Sequence, residues 1–105
     1  MDNPTEVFRD EAERLFRELD GAVARIKRDL RHLVQLMHAA QHARPSQGGA
    51  PSAAAYVLGM QSRLAGIAWE LEHARRLQAR LLVTLQQEAR REAARQSAGD
   101  ERAQE

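Results

Sequence analysis

The chain contains no cysteine, so disulfide frameworks and thiolate metal sites are excluded. Aromatics are scarce: one Trp, one Tyr and two Phe in 105 residues. Charge of one sign is also missing, with 16 Lys+Arg against 15 Asp+Glu and a net charge of +1. A dedicated nucleic-acid domain is expected to be clearly basic, so this balance argues against one. No apolar run approaches the roughly 18 residues needed to span a membrane. The opening MDNPTEVFRDE has neither a basic start nor an apolar stretch, so it does not read as a secretory signal. Lack of cysteine fits a reducing compartment, and the expectation is a cytoplasmic protein. Of the apolar residues, 19 are Ala, which leaves little bulk for a compact core in a chain of one-domain length.

What remains is helix-forming. Ala, Leu, Glu, Arg and Gln dominate, while β-branched residues number five Val, two Ile and two Thr. Pro45 and Pro51 bracket the segment Arg44-Pro45-Ser46-Gln47-Gly48-Gly49-Ala50-Pro51, the main concentration of breakers. Residues 44–51 therefore read as a loop between helices over 4–43 and 52–96. Residues 97–105, Ser-Ala-Gly-Asp-Glu-Arg-Ala-Gln-Glu, have little to bury and read as a disordered tail. Asn3 and Pro4 suit the cap and first position of the first helix, with Glu6 three residues after the cap. Ser52 suits the cap of the second.

Apolar positions on the first helix run Phe8, Ala12, Leu15, Leu19, Ala22, Ile26, Leu30, Leu33, Met37, Ala40, a helical spacing. Two four-residue steps in succession, 22-26-30, predict a local stutter. Phe16, Val23, Val34 and Leu36 widen the stripe, and Gly21 lies inside it. On the second helix Val57, Met60, Leu64, Ile67, Leu71, Ala74, Gln78, Leu81 and Leu85 alternate three- and four-residue steps, a heptad pattern. Gln78 is the polar member. It reads either as a register selector or as a residue turned outward while Leu77 and Leu82 fill its layer.

Two long helices and one short loop predict an all-α, coiled-coil-like antiparallel two-helix hairpin. Charge supports that orientation. Residues 1–21 carry seven acids and three bases, whereas 22–44 carry five bases and one acid. Antiparallel pairing then sets Glu6 near Arg90 and Arg91, Glu18 and Asp20 near Arg75 and Arg76, and Arg25 near Glu70. The predicted seam comprises Leu15, Leu19, Ile26, Leu30 and Leu33 against Leu64, Ile67, Leu71, Gln78, Leu81 and Leu85.

Not every apolar residue fits one seam. Trp69 and Val83 fall on the face opposite the predicted heptad stripe. Ala55, Gly59, Ser62 and Gly66 form a row of small residues that would let another helix approach closely. These six residues are the predicted partner-binding surface, with Trp69 as anchor. The expected partner is a protein, either a second copy completing a helix bundle as a homodimer or a different helical chain.

Chemistry-bearing groupings are sparse. His38 and His42 have the spacing of a two-His clamp, but a third ligand is missing, and they suit the negative end of the first helix. His32 and His73 read as solvated surface residues. No nucleophile–base grouping or phosphate-binding glycine loop is present. The expectation is a non-catalytic protein with no cofactor, metal or small-molecule substrate. Arg25, Lys27, Arg28 and Arg31, with Arg75, Arg76 and Arg80, are the basic clusters a nucleic-acid-binding regulator would use. No aromatics interleave them, so that reading is disfavoured.

In length and outline the chain resembles the helical chaperones and co-chaperones of bacterial type III secretion, a resemblance of architecture and size without a shared motif. It implies, as an alternative, a small cytoplasmic chaperone for a secreted or assembling helical partner. The chain also resembles in outline a secreted hairpin family with a Trp-x-Gly turn. Here the turn reads Gln47-Gly48-Gly49-Ala50-Pro51 and Trp69 lies mid-helix. The principal expectation is a helical interaction or assembly protein that binds itself or a partner helix through apolar faces.

Overall fold

In a computed structural model the chain is all-α, an antiparallel helical hairpin. Backbone is described for residues 4–43 and 52–104, and side chains for residues 7–43 and 52–99. Helix α1 spans Pro4–His42 and helix α2 spans Ala53–Gln104. Every described residue except Ala43 and Ser52 is α-helical. The expected loop at 44–51 and the expected cap Asn3 lie outside the described residues.

Ser52 caps α2 as its chemistry predicts. Its hydroxyl oxygen accepts a hydrogen bond from the Ala55 N–H at 3.3 Å, and its carbonyl accepts one from the Tyr56 N–H at 3.2 Å. At the other end of α1 the Ala43 N–H donates to the Ala40 carbonyl at 3.4 Å, a tightened last turn. Helix α2 runs past the expected end at Gln96, through the segment expected to be disordered, as far as Gln104. The local reason is propensity: the segment is rich in Ala, Arg, Gln and Glu, and Gly99 is its one strong breaker.

The chain forms two compact units, one combining Met1–Leu19 with Arg75–Glu105, the other Asp20–Ala74. In the first unit Leu15 is fully buried, joined by Ala12, Leu77, Leu81 and Thr84. The Thr84 hydroxyl donates to the Arg80 carbonyl at 2.9 Å, which satisfies a polar group that would otherwise be costly to bury. Arg14 binds Glu11 at 2.7 Å and Glu18 at 2.6 Å on its own helix, and Arg80 reaches Glu11 across the pair at 3.6 Å. Glu18 thus pairs within α1. The Arg91 guanidinium carbon lies 4.4 Å from the Phe8 ring centre, a cation–π contact.

In the second unit Ala22 and Ile67 are buried. Arg25 donates from Nε to both Glu70 carboxylate oxygens at 3.3 Å, the pairing predicted from charge. Arg63 Nη1 donates to Asp29 Oδ1 at 3.2 Å. A methyl group placed on Gly59 would lie 3.6 Å from both Leu36 methyls. Residue numbers therefore fall along α1 as they rise along α2, which is the antiparallel sense.

The observed seam differs in phase from the expected one. Along α2 the buried and half-buried positions include Tyr56, Met60, Ile67, Glu70, Ala74, Leu77, Leu81, Thr84 and Glu88. With Arg63, which reaches Asp29, they step alternately by four and three. Met60, Ile67, Ala74 and Leu81 belong to both patterns. The alternate positions are Arg63, Glu70, Leu77 and Thr84, and not Leu64, Leu71, Gln78 and Leu85, which are all exposed. Along α1 Asp29 and Leu36 take the places expected for Leu30 and Met37, so the steps stay regular and the stutter disappears. Leu15, Leu19, Ile26 and Leu33 keep their expected shielded places, with Leu15 buried and the others half-buried. The physical reason is that polar residues joined the seam by pairing. Arg25 covers Glu70, Arg63 covers Asp29, and Thr84 bonds its own helix. Gln78 turns outward while Leu77 fills its layer, and Leu82 stays exposed.

Gly21 is half-buried, and the nearest atom to an added methyl is Arg25 Nη1 at 3.5 Å, so no neighbouring backbone demands a glycine there.

Candidate interaction surface

The change of phase determines which side chains face outward. With each helix written as a heptad, the a positions are Ala12, Leu19, Ile26, Leu33 and Ala40 on α1, and Met60, Ile67, Ala74 and Leu81 on α2. The d positions are Leu15, Ala22, Asp29 and Leu36 on α1, and Tyr56, Arg63, Glu70, Leu77 and Thr84 on α2. The residue after each d, position e, flanks the seam on one side; the residue before each a, position g, flanks it on the other.

In the second unit position g holds small or half-buried groups, apart from the exposed Arg25, which reaches across to Glu70. Gly59 faces Leu36, an added methyl on Gly66 would lie 3.9 Å from Asp29 Oδ2, and His32, Ala39 and His73 are half-buried. This flank is where the helices come close. Position e holds Val23, Leu30 and Met37 on α1 and Val57, Leu64 and Leu71 on α2, all exposed. Leu30 is 44% and Leu64 51% accessible. In an antiparallel pair e lies beside e and g beside g, so both rows share one side of the unit. Each helix is therefore apolar at a and e and mixed at d, a stripe wide enough for two neighbours. In the first unit Phe16 and Leu85 at e, with Leu82 beside them, are likewise exposed.

The predicted partner-binding residues are divided by this geometry. Trp69 is 67% accessible and stacks on His73, ring centres 5.9 Å apart and 13° from parallel. Val83, Ala55, Ser62 and Gly66 are exposed, while Gly59 packs within the hairpin against Leu36. The small-residue row therefore contributes in part to the chain's own helix contact. Trp69 and Val83 sit at position c, beside the g flank and away from the e rows.

Two histidines differ from expectation. His32 was expected to be solvated, yet it is half-buried beside Gln35, Leu36, Ala39, Tyr56 and Arg63, and its Nδ1 is buried without a hydrogen-bond partner. His73 is half-buried through its stacking on Trp69. His38 and His42 are both exposed, and among the described residues no group of three or more His, Cys, Asp or Glu is placed to hold a metal ion.

Electrostatics concentrate at Glu11. The hydrogen bond from Arg14 lowers its carboxyl from the ordinary carboxylate value; desolvation opposes it, and the charges of Arg14 and Arg80 add smaller lowering effects. Arg14 is raised in turn, first by its bond to Glu11. Among the described residues no helix is long and apolar enough to cross a membrane.

The e rows were not separated from the seam in the sequence. The available signal was the Arg25–Glu70 match, which places Glu70 at the interface and implies Leu77 and Thr84 at its heptad repeats. No family model, curated protein or solved structure matches the chain.

Proposed function

We propose that this chain is a cytoplasmic, non-catalytic helical assembly protein that binds itself or a partner helix through apolar rows outside its own seam. One observation carries the reading: Val23, Leu30, Met37, Val57, Leu64 and Leu71 stay exposed on one side of a unit whose seam is already occupied. An ordered apolar row of this kind is a feature that isolated surface leucines do not share. The exposed Trp69 adds a second apolar element on the other flank. Arg25, Arg63 and Arg80 each meet a carboxylate, which leaves nucleic-acid recognition with less support.

Thermal unfolding followed by circular dichroism over a wide concentration range tests the reading. Assembly couples folding to association, so the midpoint rises with protein concentration. A cooperative transition with a midpoint independent of concentration, in a chain that stays monomeric, contradicts it.

A further inference from the structure

We infer that the e-row side of the second unit is covered by a second copy of this chain, with the twofold axis parallel to the helices. The inference rests on the assembly reading above and names its surface, partner and symmetry.

Level matching is the first ground. The register that pairs Arg25 with Glu70 and Leu36 with Gly59 sets Val23 level with Leu71, Leu30 with Leu64, and Met37 with Val57. The two rows have three members each, spaced by seven residues and centred on Leu30 and Leu64. A twofold axis along the helices leaves every level unchanged. It lays α1 of one copy antiparallel over α2 of the other, so each α1 member of the row meets an apolar α2 side chain at its own level. The apolar layers of the two hairpins then merge into a four-helix arrangement without any shift of register.

Charge selects this symmetry over its alternative. Arg25, Asp29, Arg63 and Glu70 pair within the hairpin and Arg28 lies on the g side; on the e side α1 carries Lys27 and Arg31 against Asp20, a net +1, and α2 carries Glu72, a net −1. The axis along the helices sets the positive helix against the negative one. A twofold axis across the helices instead lays α1 on α1, +1 against +1, and α2 on α2. Opposite charge across an interface fixes the partner and orientation even where it adds little affinity.

The absence of cysteine makes the test clean, since single thiols report single positions. The variants Leu30→Cys and Leu64→Cys are oxidised separately and as a mixture, with helicity and sedimentation mass measured before oxidation. The inference predicts a covalent dimer in the mixture and little in either variant alone, because residue 30 of one copy faces residue 64 of the other. Leu64→Glu, at a position exposed in the single hairpin, is predicted to keep its helicity and weaken dimerisation by about tenfold or more. Cross-linking of Leu30→Cys or Leu64→Cys with itself overturns the inference in favour of the crossed axis. A dimeric chain with no cross-link in any sample, or full dimerisation of Leu64→Glu, overturns this surface while leaving the assembly reading standing. A cooperatively folded monomer overturns both.

Discussion

Arg25 and Glu70, one on each helix, meet with the guanidinium Nε 3.3 Å from both carboxylate oxygens. The Glu70 side chain is 12% accessible, whereas Arg25 keeps 43% of its surface in water. The pair anchors the register of the second unit and places a charged residue where a hydrophobic repeat alone would put leucine.

A double-mutant cycle on Arg25→Ala and Glu70→Ala, read by urea unfolding, is expected to give a coupling of about 0.5–1 kcal/mol, since one partner is substantially hydrated. Arg25→Ala alone is expected to cost more than Glu70→Gln, because it leaves the shielded Glu70 carboxylate at the seam without its counter-charge. A coupling indistinguishable from zero would remove the pair as a register anchor.

At Gly59 the space toward Leu36 admits one methyl at ordinary contact distance. Gly59→Ala is therefore expected to raise stability by about 0.5–1 kcal/mol through helix propensity. Gly59→Leu overfills the same gap and is expected to destabilise. Equal stabilisation by both variants would mean that the flank is open.

Leu77 and Gln78 test the phase of the seam directly. Leu77 is 2% accessible, and Leu77→Ala is expected to cost about 2–4 kcal/mol by urea unfolding. Gln78→Ala, at an outward position, is expected to change stability by less than about 0.5 kcal/mol. The reverse order would restore the phase in which Gln78 belongs to the core.

That comparison also shows where the sequence was readable. Helix content, the antiparallel sense, the Ser52 cap and the Arg25–Glu70 pair all followed from propensity, punctuation and charge. Met60, Ile67, Ala74 and Leu81 were placed correctly because they are shared by both possible phases. The other half of the α2 seam was misplaced because a stripe three residues wide per heptad contains two apolar-looking phases. The greasier one, through Leu64, Leu71 and Leu85, lost to one containing Arg63, Glu70 and Thr84. Those residues enter a seam only when a specific partner takes their polar atoms, which periodicity does not register. Gly59 was misassigned to an outer row for the same reason, since a rotation of one position turns an outer flank into an inner one. The end of α2 is not legible from burial, since Ala, Arg, Glu and Gln sustain helix by propensity where little is packed.

Acid sensitivity follows from Glu11. Its folded-state pKa is depressed, chiefly by the Arg14 hydrogen bond, so its contribution is present above the unfolded carboxylate value and is lost as pH falls through the lower folded one. The effect is small because the site is well solvated. Glu11→Gln is expected to flatten the decline in stability on the acid side of the carboxylate range and to leave the basic side unchanged. An identical acid profile for the variant and the parent chain would show that the Arg14 pairing does not persist in solution.

The most direct measurement of the central claim is the solution mass by sedimentation equilibrium across a wide concentration range. The account predicts a reversible shift from the 11.8 kDa single chain to a species of twice that mass, with helicity rising alongside. A single-chain mass at every concentration, with full helicity and cooperative unfolding, would contradict it.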